Sequence, residues 1–244
     1  MGLPTLDIAL PWADWEPVYA AIRADFGYGL AADVAARDLF LEQEEPWCAP
    51  TELPDLAGQT VAVVGGAAPT ERDTKRISAA DACLGAGVGG ETVREADAEL
   101  TVYVTDLDTP GQLPHELTQS GIPVAVHGHG DNHDALTTVL PTLETSWVLP
   151  TTQAEPRGPV VNCGGFTDGD RAAFLAHALG AARLVFPSWA FDDPAVSKTK
   201  RRKLAWAERL LYWLERHRDE RFAVLDGRRD DIDSLPTETN QNLR

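Results

Sequence analysis

Val102-Tyr-Val-Thr-Asp-Leu-Asp-Thr-Pro110 is the stretch whose reading decides the fold. Val102, Tyr103 and Val104 have the β-branched and aromatic character of a buried strand. The run breaks at Thr105, and Pro110-Gly111 predicts a turn. Asp106 and Asp108 therefore fall at the carboxyl end of a strand, which is where open parallel sheets bind ligands. Two neighbouring carboxylates repel unless one takes a proton or a cation lies between them. Mg²⁺ beside a phosphorylated nucleotide is a common solution. The plain structural alternative makes Asp106 a helix cap and Asp108 a solvated turn residue.

Working outward, strand-like and helix-like segments alternate. Thr60-Val-Ala-Val-Val-Gly-Gly66 predicts a strand running into a small-residue loop and a helix from Glu71. Such a loop can admit a phosphate or ribose at the helix N-terminus. It lacks the glycine and lysine positions of the dinucleotide and P-loop fingerprints. Ser78 to Ala82 and the glycine-rich run from Gly85 to Gly90 read as a short strand and turn, or the glycine-rich run as a flexible loop. A helix is expected over 112–120, a strand over 122–126, a helix over 134–140 and short strands over 147–149 and 159–162. Ala172 to Leu179 reads as a helix with Thr167 or Asp168 as its N-cap. Arg183 to Phe186 reads as a strand, a long helix starts from Asp192-Asp193-Pro194, and Phe222 to Leu225 reads as a last strand. The alternation predicts an α/β fold, a mostly parallel sheet flanked by helices.

Before the sheet, Val18, Ile22, Phe26, Leu30, Val34, Leu39 and Phe40 recur near helical spacing, with an interruption at Gly27-Tyr28-Gly29. Pro46, Pro50 and Pro54 mark a linker. The expected organisation is an N-terminal helical cap and linker over 1–57, an α/β domain over 58–226 and a polar, disordered tail over 227–244.

Composition limits the setting. A 43% hydrophobic content supports a core, no run approaches a membrane span, and no signal peptide is visible, so a cytoplasmic location is expected. The net charge of −17 opposes nucleic-acid binding, and only four lysines accompany 17 arginines, a surface suited to concentrated salt. The odd cysteine count, at Cys48, Cys83 and Cys163, argues against a disulfide framework.

Three further polar segments follow strands. His127-Gly-His-Gly-Asp-Asn132 mimics part of a metallohydrolase motif, but Asn132 stands where a last histidine would be, which disfavours zinc hydrolysis. Asp131 is then the carboxylate that joins a metal or substrate shell. Gly164-Gly-Phe-Thr-Asp-Gly-Asp-Arg171, preceded by Asn162, opens space at another strand end. Lys198-Thr-Lys-Arg-Arg-Lys203 puts five positive charges in six residues, against the dipole of a helix N-terminus, and an anionic partner such as a polyphosphate accounts for it.

Taken together, Thr105-Asp-Leu-Asp108, the His-Gly-Asp-Asn string, the Gly-Phe-Thr-Asp-Gly-Asp-Arg string and the basic run resemble the archaeal-type 6-hydroxymethyl-7,8-dihydropterin pyrophosphokinases. Asp25-Phe-Gly-Tyr28, Ala79-Ala-Asp81 and Thr152-Gln153 extend the likeness over nearly the whole chain. That family is similar in fold to the thiamin pyrophosphokinase catalytic domain, which implies a Rossmann-like sheet. The resemblance implies Mg²⁺-dependent transfer of diphosphate from ATP to the hydroxymethyl group of a reduced pterin, with release of AMP. It assigns Asp106 and Asp108 to Mg²⁺, with Asp131 as a third ligand or the group orienting the hydroxyl. Lys200, Arg202 and Lys203 would hold the polyphosphate, and Asp168, Asp170 and Arg171 would complete the pocket. Asn132 and Asn162 are candidate pterin or ribose contacts, and Asp81 belongs to the nucleotide-binding set. The expected partners are these small molecules, with no nucleic acid and no membrane; a homodimer is left open. A metal-dependent nucleotide-sugar glycosyltransferase and a non-catalytic nucleotide- or pterin-binding protein are the competing readings. A phosphatase with an aspartyl nucleophile is disfavoured by Pro110, where it would need Thr or Val.

Overall fold

The structure is a computed structural model describing residues 10–43, 46–109, 111–233 and 235. The turn expected at Pro110 falls partly outside them. Among the described residues six strands form one parallel sheet: β1 (Thr60–Val64), β2 (Ala82–Ala86), β3 (Val102–Thr105), β4 (Val124–Gly128), β5 (Val148–Thr152) and β6 (Arg183–Val185), in the order β5-β4-β3-β2-β1-β6. The chain adds strands in one direction from β1 to β5, then crosses back to place β6 on the far side of β1.

Both sheet faces are covered, so the strands read as continuous apolar runs. Along β1, Val61 and Val63 face one core while Ala62 and Val64 face the other, the two-residue period of a strand. On the first side lie α1 (Trp12–Phe26), α7 (Asp168–Ala178) and α8 (Lys198–His217), contributing Trp15, Ile22, Leu175 and Leu210. On the second lie α2 (Leu30–Leu41), α3 (Glu71–Ser78), α4 (Gly89–Glu95), α5 (Leu113–Gln119) and α6 (His133–Val139), contributing Phe40, Ile77, Val93, Leu117 and Leu136. The break between α1 and α2 comes where Gly27 takes a left-handed conformation (φ 73°) and its N–H bonds the Arg23 carbonyl, a conformation that glycine adopts without penalty. Among the described residues no helix is long and apolar enough to cross a membrane. All three cysteines are buried and unbridged.

Several segments differ from the sequence reading. Of the two readings of Gly85 to Gly90 the strand and turn holds, with Gly85 in β2, and the flexible loop fails: a Cβ at Gly89 would overlap the Val64 carbonyl oxygen, and Gly85 and Gly90 press on each other. Residues 159–162 form only isolated bridges: Val161 pairs with Thr151 beside β5, but Val160 exchanges both backbone bonds with Arg157 and the Asn162 carbonyl accepts from the Leu10 N–H. The final helix starts at Lys198, where Ser197 accepts from the Lys200 N–H at 3.1 Å; Asp192 and Asp193 precede it. Ala223–Leu225 is a 3₁₀ turn, not a strand. The sheet edge it would have joined is closed by the Glu220 carboxylate, which accepts from the Leu184 N–H. In the segment expected as a disordered tail, Arg229 pairs with Glu215 at 2.6 Å and Leu235 is buried; residues 234 and 236–244 lie outside the described residues.

Candidate active site

Because all six strands are parallel, their carboxyl ends share one edge, and the loops that leave them line a cavity of about 700 Å³. In sheet order its lining runs from Ser188 and Trp189 after β6, through Gly65 and Gly66 after β1 and Gly87 after β2. It continues with Asp106 and Asp108 after β3, His129 and Asp131 after β4, and Gln153 after β5. Gly65 and Gly169 are needed where Trp189 lies between them, since a Cβ on either would come within 2.9 Å of its ring.

The β3 tip is a tight turn through Leu107, whose φ is 63°. Its N–H bonds Thr105 Oγ1 at 2.9 Å, and its buried side chain holds a conformation that costs a non-glycine residue roughly 1–2 kcal/mol. The turn brings the Asp108 N–H to Asp106 Oδ1 at 3.1 Å and leaves both carboxylates on the cavity. Asp106 Oδ2 lies 3.2 Å from His129 Nε2. His129 Nδ1 accepts from the Asp131 N–H at 3.3 Å, so Nε2 carries the hydrogen and donates to Asp106. Burial opposes the charge on Asp106, but bonds from His129 and Asp108 outweigh it and hold this carboxyl well below its ordinary range. Asp108 shifts the other way, raised by burial and by the neighbouring Asp106 charge.

Asp168, at the first turn of α7, faces the same pair. Burial and the charges of Asp106 and Asp108 push its carboxyl up to about 8, against the pull of Arg171 and Lys200. Arg171 donates to Asp168 Oδ1 and to the Phe166 carbonyl, both at 3.1 Å, while its buried Nε has no partner among the described residues. Across the cavity Lys200 and Lys203, three residues apart on α8, share one helix face, and Lys203 Nζ lies 5.9 Å from the Phe166 ring centre.

No protein-family model matches the chain. A protein of Methanothermobacter thermautotrophicus named 6-hydroxymethyl-7,8-dihydropterin pyrophosphokinase is 36% identical over 232 residues, 86% of this chain and 97% of that protein. A protein of the same name from Pyrococcus furiosus is 34% identical over 84% of this chain and 95% of its own length. One from Methanocaldococcus jannaschii is 25% identical over 83% and 95%. The chain belongs to the 6-hydroxymethyl-7,8-dihydropterin pyrophosphokinase family. It is an enzyme, a diphosphotransferase, which sets aside the glycosyltransferase and the non-catalytic binding protein.

The cavity gathers Asp106, Asp108, Asp131, Asp168, Arg171, Lys200 and Lys203 from the residues read from sequence. The others are elsewhere. Asp81 precedes β2, at the opposite edge of the sheet, and accepts from the Thr60 N–H at 2.8 Å. Asn132 is a buried clamp: Nδ2 donates to the Asp106 and His127 carbonyls, both at 2.7 Å, and Oδ1 accepts from the His129 N–H. Asn162 is likewise spent on backbone. Asp170 is fully buried and caps α7, accepting from the Phe166 and Thr167 N–H groups at 2.5 and 2.9 Å. Arg202 turns to α1, pairs with Asp25 at 2.9 Å and lies over the Phe26 ring.

The three-carboxylate metal cluster of Asp106, Asp108 and Asp131 is not found. Among the described residues no group of three His, Cys, Asp or Glu side chains is placed to hold a metal by itself. Asp131 is exposed on the cavity rim, and the acid that feels Asp106 and Asp108 is Asp168. Sequence reasoning also missed Asp33, Ser188 and Trp189, all on the cavity. Asp33 had a signal: with Ala36, Arg37 and Phe40 it occupies the buried face of α2, an unusual place for a carboxylate.

Proposed function

We propose that the protein transfers diphosphate from ATP to the hydroxymethyl group of 6-hydroxymethyl-7,8-dihydropterin, with Mg²⁺, and releases AMP. The observation that carries this reading is the crowding of Asp106, Asp108 and Asp168 opposite Lys200 and Arg171 at the middle of the cavity. The donor set fits Mg²⁺, a hard cation that takes one or two protein carboxylates and completes its shell with water and substrate phosphates. Asp106 and Asp108 would hold it, where a cation would relieve the repulsion that raises Asp108. Bound there, the ion would neutralise charge on the phosphates.

The chain's own residues position and neutralise. Lys200 and Lys203 hold the polyphosphate; Arg171, fixed by Asp168 and the Phe166 carbonyl, adds positive charge behind it. Asp131 orients the acceptor hydroxyl from the rim. The hydroxyl oxygen bonds to the β-phosphorus as the bond from that phosphorus to the α,β-bridging oxygen breaks. The electron pair leaves with AMP on that oxygen, and the hydroxyl proton is lost to water. Such a reaction is driven mainly by positioning and charge stabilisation.

The test is to incubate pure protein with Mg-ATP and, separately, the hydroxymethyl-dihydropterin, thiamin and other small alcohols, in dilute and in concentrated salt. AMP formed with the pterin alone supports the reading; ADP, or AMP with thiamin instead, overturns it. The charge of −17 suits a salt-rich setting, and full activity with a stable fold in dilute buffer would count against that part.

A further inference from the structure

We propose that Asp33 selects the acceptor, its carboxylate taking the N–H donors of the 2-amino-4-oxopyrimidine edge of the pterin. This assignment rests on the pterin reading above and adds which end of the cavity reads which substrate. The sheet order supplies the division. The crossover from the β1–β5 series to β6 makes a switch point between β1 and β6, the place where such sheets bind nucleotides. There the glycine loop after β1 meets Ser188 and Trp189, and the buried Ser188 hydroxyl has no partner among the described residues. The carboxylates of β3 lie midway. The acceptor is left the β4–β5 end, roofed by the N-terminal helices.

That end has the chemistry of a flat, hydrogen-bonding ring. Tyr28, stacked on Phe26 with ring centres 5.2 Å apart, and Phe166 give it aromatic surface, and Gln153 gives it an amide. Asp33 lines it and is 4% exposed. Its Oδ1 accepts from the Gly130 N–H at 2.7 Å and its Oδ2 is bonded by the Tyr19 hydroxyl. A carboxylate has about four acceptor positions, so about two remain. Arg37, one turn along α2, gives its guanidinium to Asp38 and the Glu155 carbonyl instead. Among the described residues Asp33 is served by neutral donors alone, and a buried carboxylate so served calls for more of them. Two adjacent N–H groups on one ring edge match its two oxygens.

The test compares AMP release from two alcohols at saturating Mg-ATP: the hydroxymethyl-dihydropterin, and its analogue with oxygen in place of the 2-amino group. Wild type is expected to prefer the amino compound in kcat/KM by about 10- to 100-fold, the scale of a charge-assisted contact. Asp33→Asn should bring the preference to within about threefold while leaving the KM for ATP unchanged. Asp33→Ser, which keeps a hydroxyl near Gly130, serves if the asparagine variant does not fold. A purely structural role would lower stability without touching the preference. A variant that retains the preference, or a wild type with none, overturns the assignment of Asp33. No AMP from wild type with either alcohol overturns the pterin reading itself, and this assignment with it.

Discussion

Replacing Asn132 with alanine separates a structural clamp from a ligand contact. Its amide joins the Asp106 carbonyl, the His127 carbonyl and the His129 N–H at 2.7, 2.7 and 2.9 Å, in a site 5% exposed. Each such bond nets roughly 1 kcal/mol, and alanine strands three backbone groups away from water, so the loss is about 3 kcal/mol. That is a large part of the roughly 5–15 kcal/mol that keeps a domain folded. For a chain of this size it lowers the melting temperature by about 6–12 °C. The same change frees the β3 and β4 tips from each other, so Asp106 and His129 lose their register. A displacement on the order of 1 Å at such a site costs up to about 100-fold in kcat. The KM for ATP and for the acceptor should barely move. Asn132→Asp should destabilise at least as much, because a carboxylate oxygen would then face two carbonyls. Thermal unfolding and steady-state AMP release check this together. An unchanged melting temperature with a raised KM would make Asn132 a substrate contact and refute the clamp.

Asp106→Asn should cut diphosphate transfer at saturating Mg²⁺ by at least about 100-fold with the fold intact; near wild-type turnover would remove Asp106 from the metal site. Gly89→Ala forces a Cβ to within 2.1 Å of the Val64 carbonyl oxygen and should cost about 1–3 kcal/mol in urea unfolding; an unchanged midpoint would contradict the close packing of α4 on β1. His177 is pushed down to about 4 by burial and by the Arg218 and His217 charges, and Arg218 donates to its Nδ1 at 3.0 Å, which requires a neutral ring. The unfolded chain takes up this proton near pH 6.5 and the folded one does not, so its contribution is complete above about 6.5 and is lost as pH falls toward 4. His177→Gln should flatten that part of the stability–pH curve, and an unaltered slope would refute it.

The architecture was legible because local pattern carries it. Strands buried on both faces read as apolar runs, and the order of strands and helices implied a parallel sheet with its ligand edge at the carboxyl ends. Segments whose form depends on a neighbour were not legible. Residues 159–162 and 222–225 have strand composition, but Val160 spends both its backbone bonds on Arg157 and Glu220 closes the edge the other needed. The close packing of the glycines from 85 to 90 was not legible, because nothing local reveals that Val64 and Tyr103 press against them.

The same boundary runs through the site. Sequence alone determined that Asp106 and Asp108 share a strand tip and that lysines cluster near residue 200, since both follow from spacing along one element. Only the tertiary structure decided which polar residues serve the fold: Asn132, Asn162, Asp170 and Arg202 spend their hydrogen bonds on backbone or on Asp25. It also brought Asp168 and Asp33 to the cavity from α7 and α2. A polar side chain's role depends on which donors and acceptors surround it, and those come from parts of the chain far away in sequence.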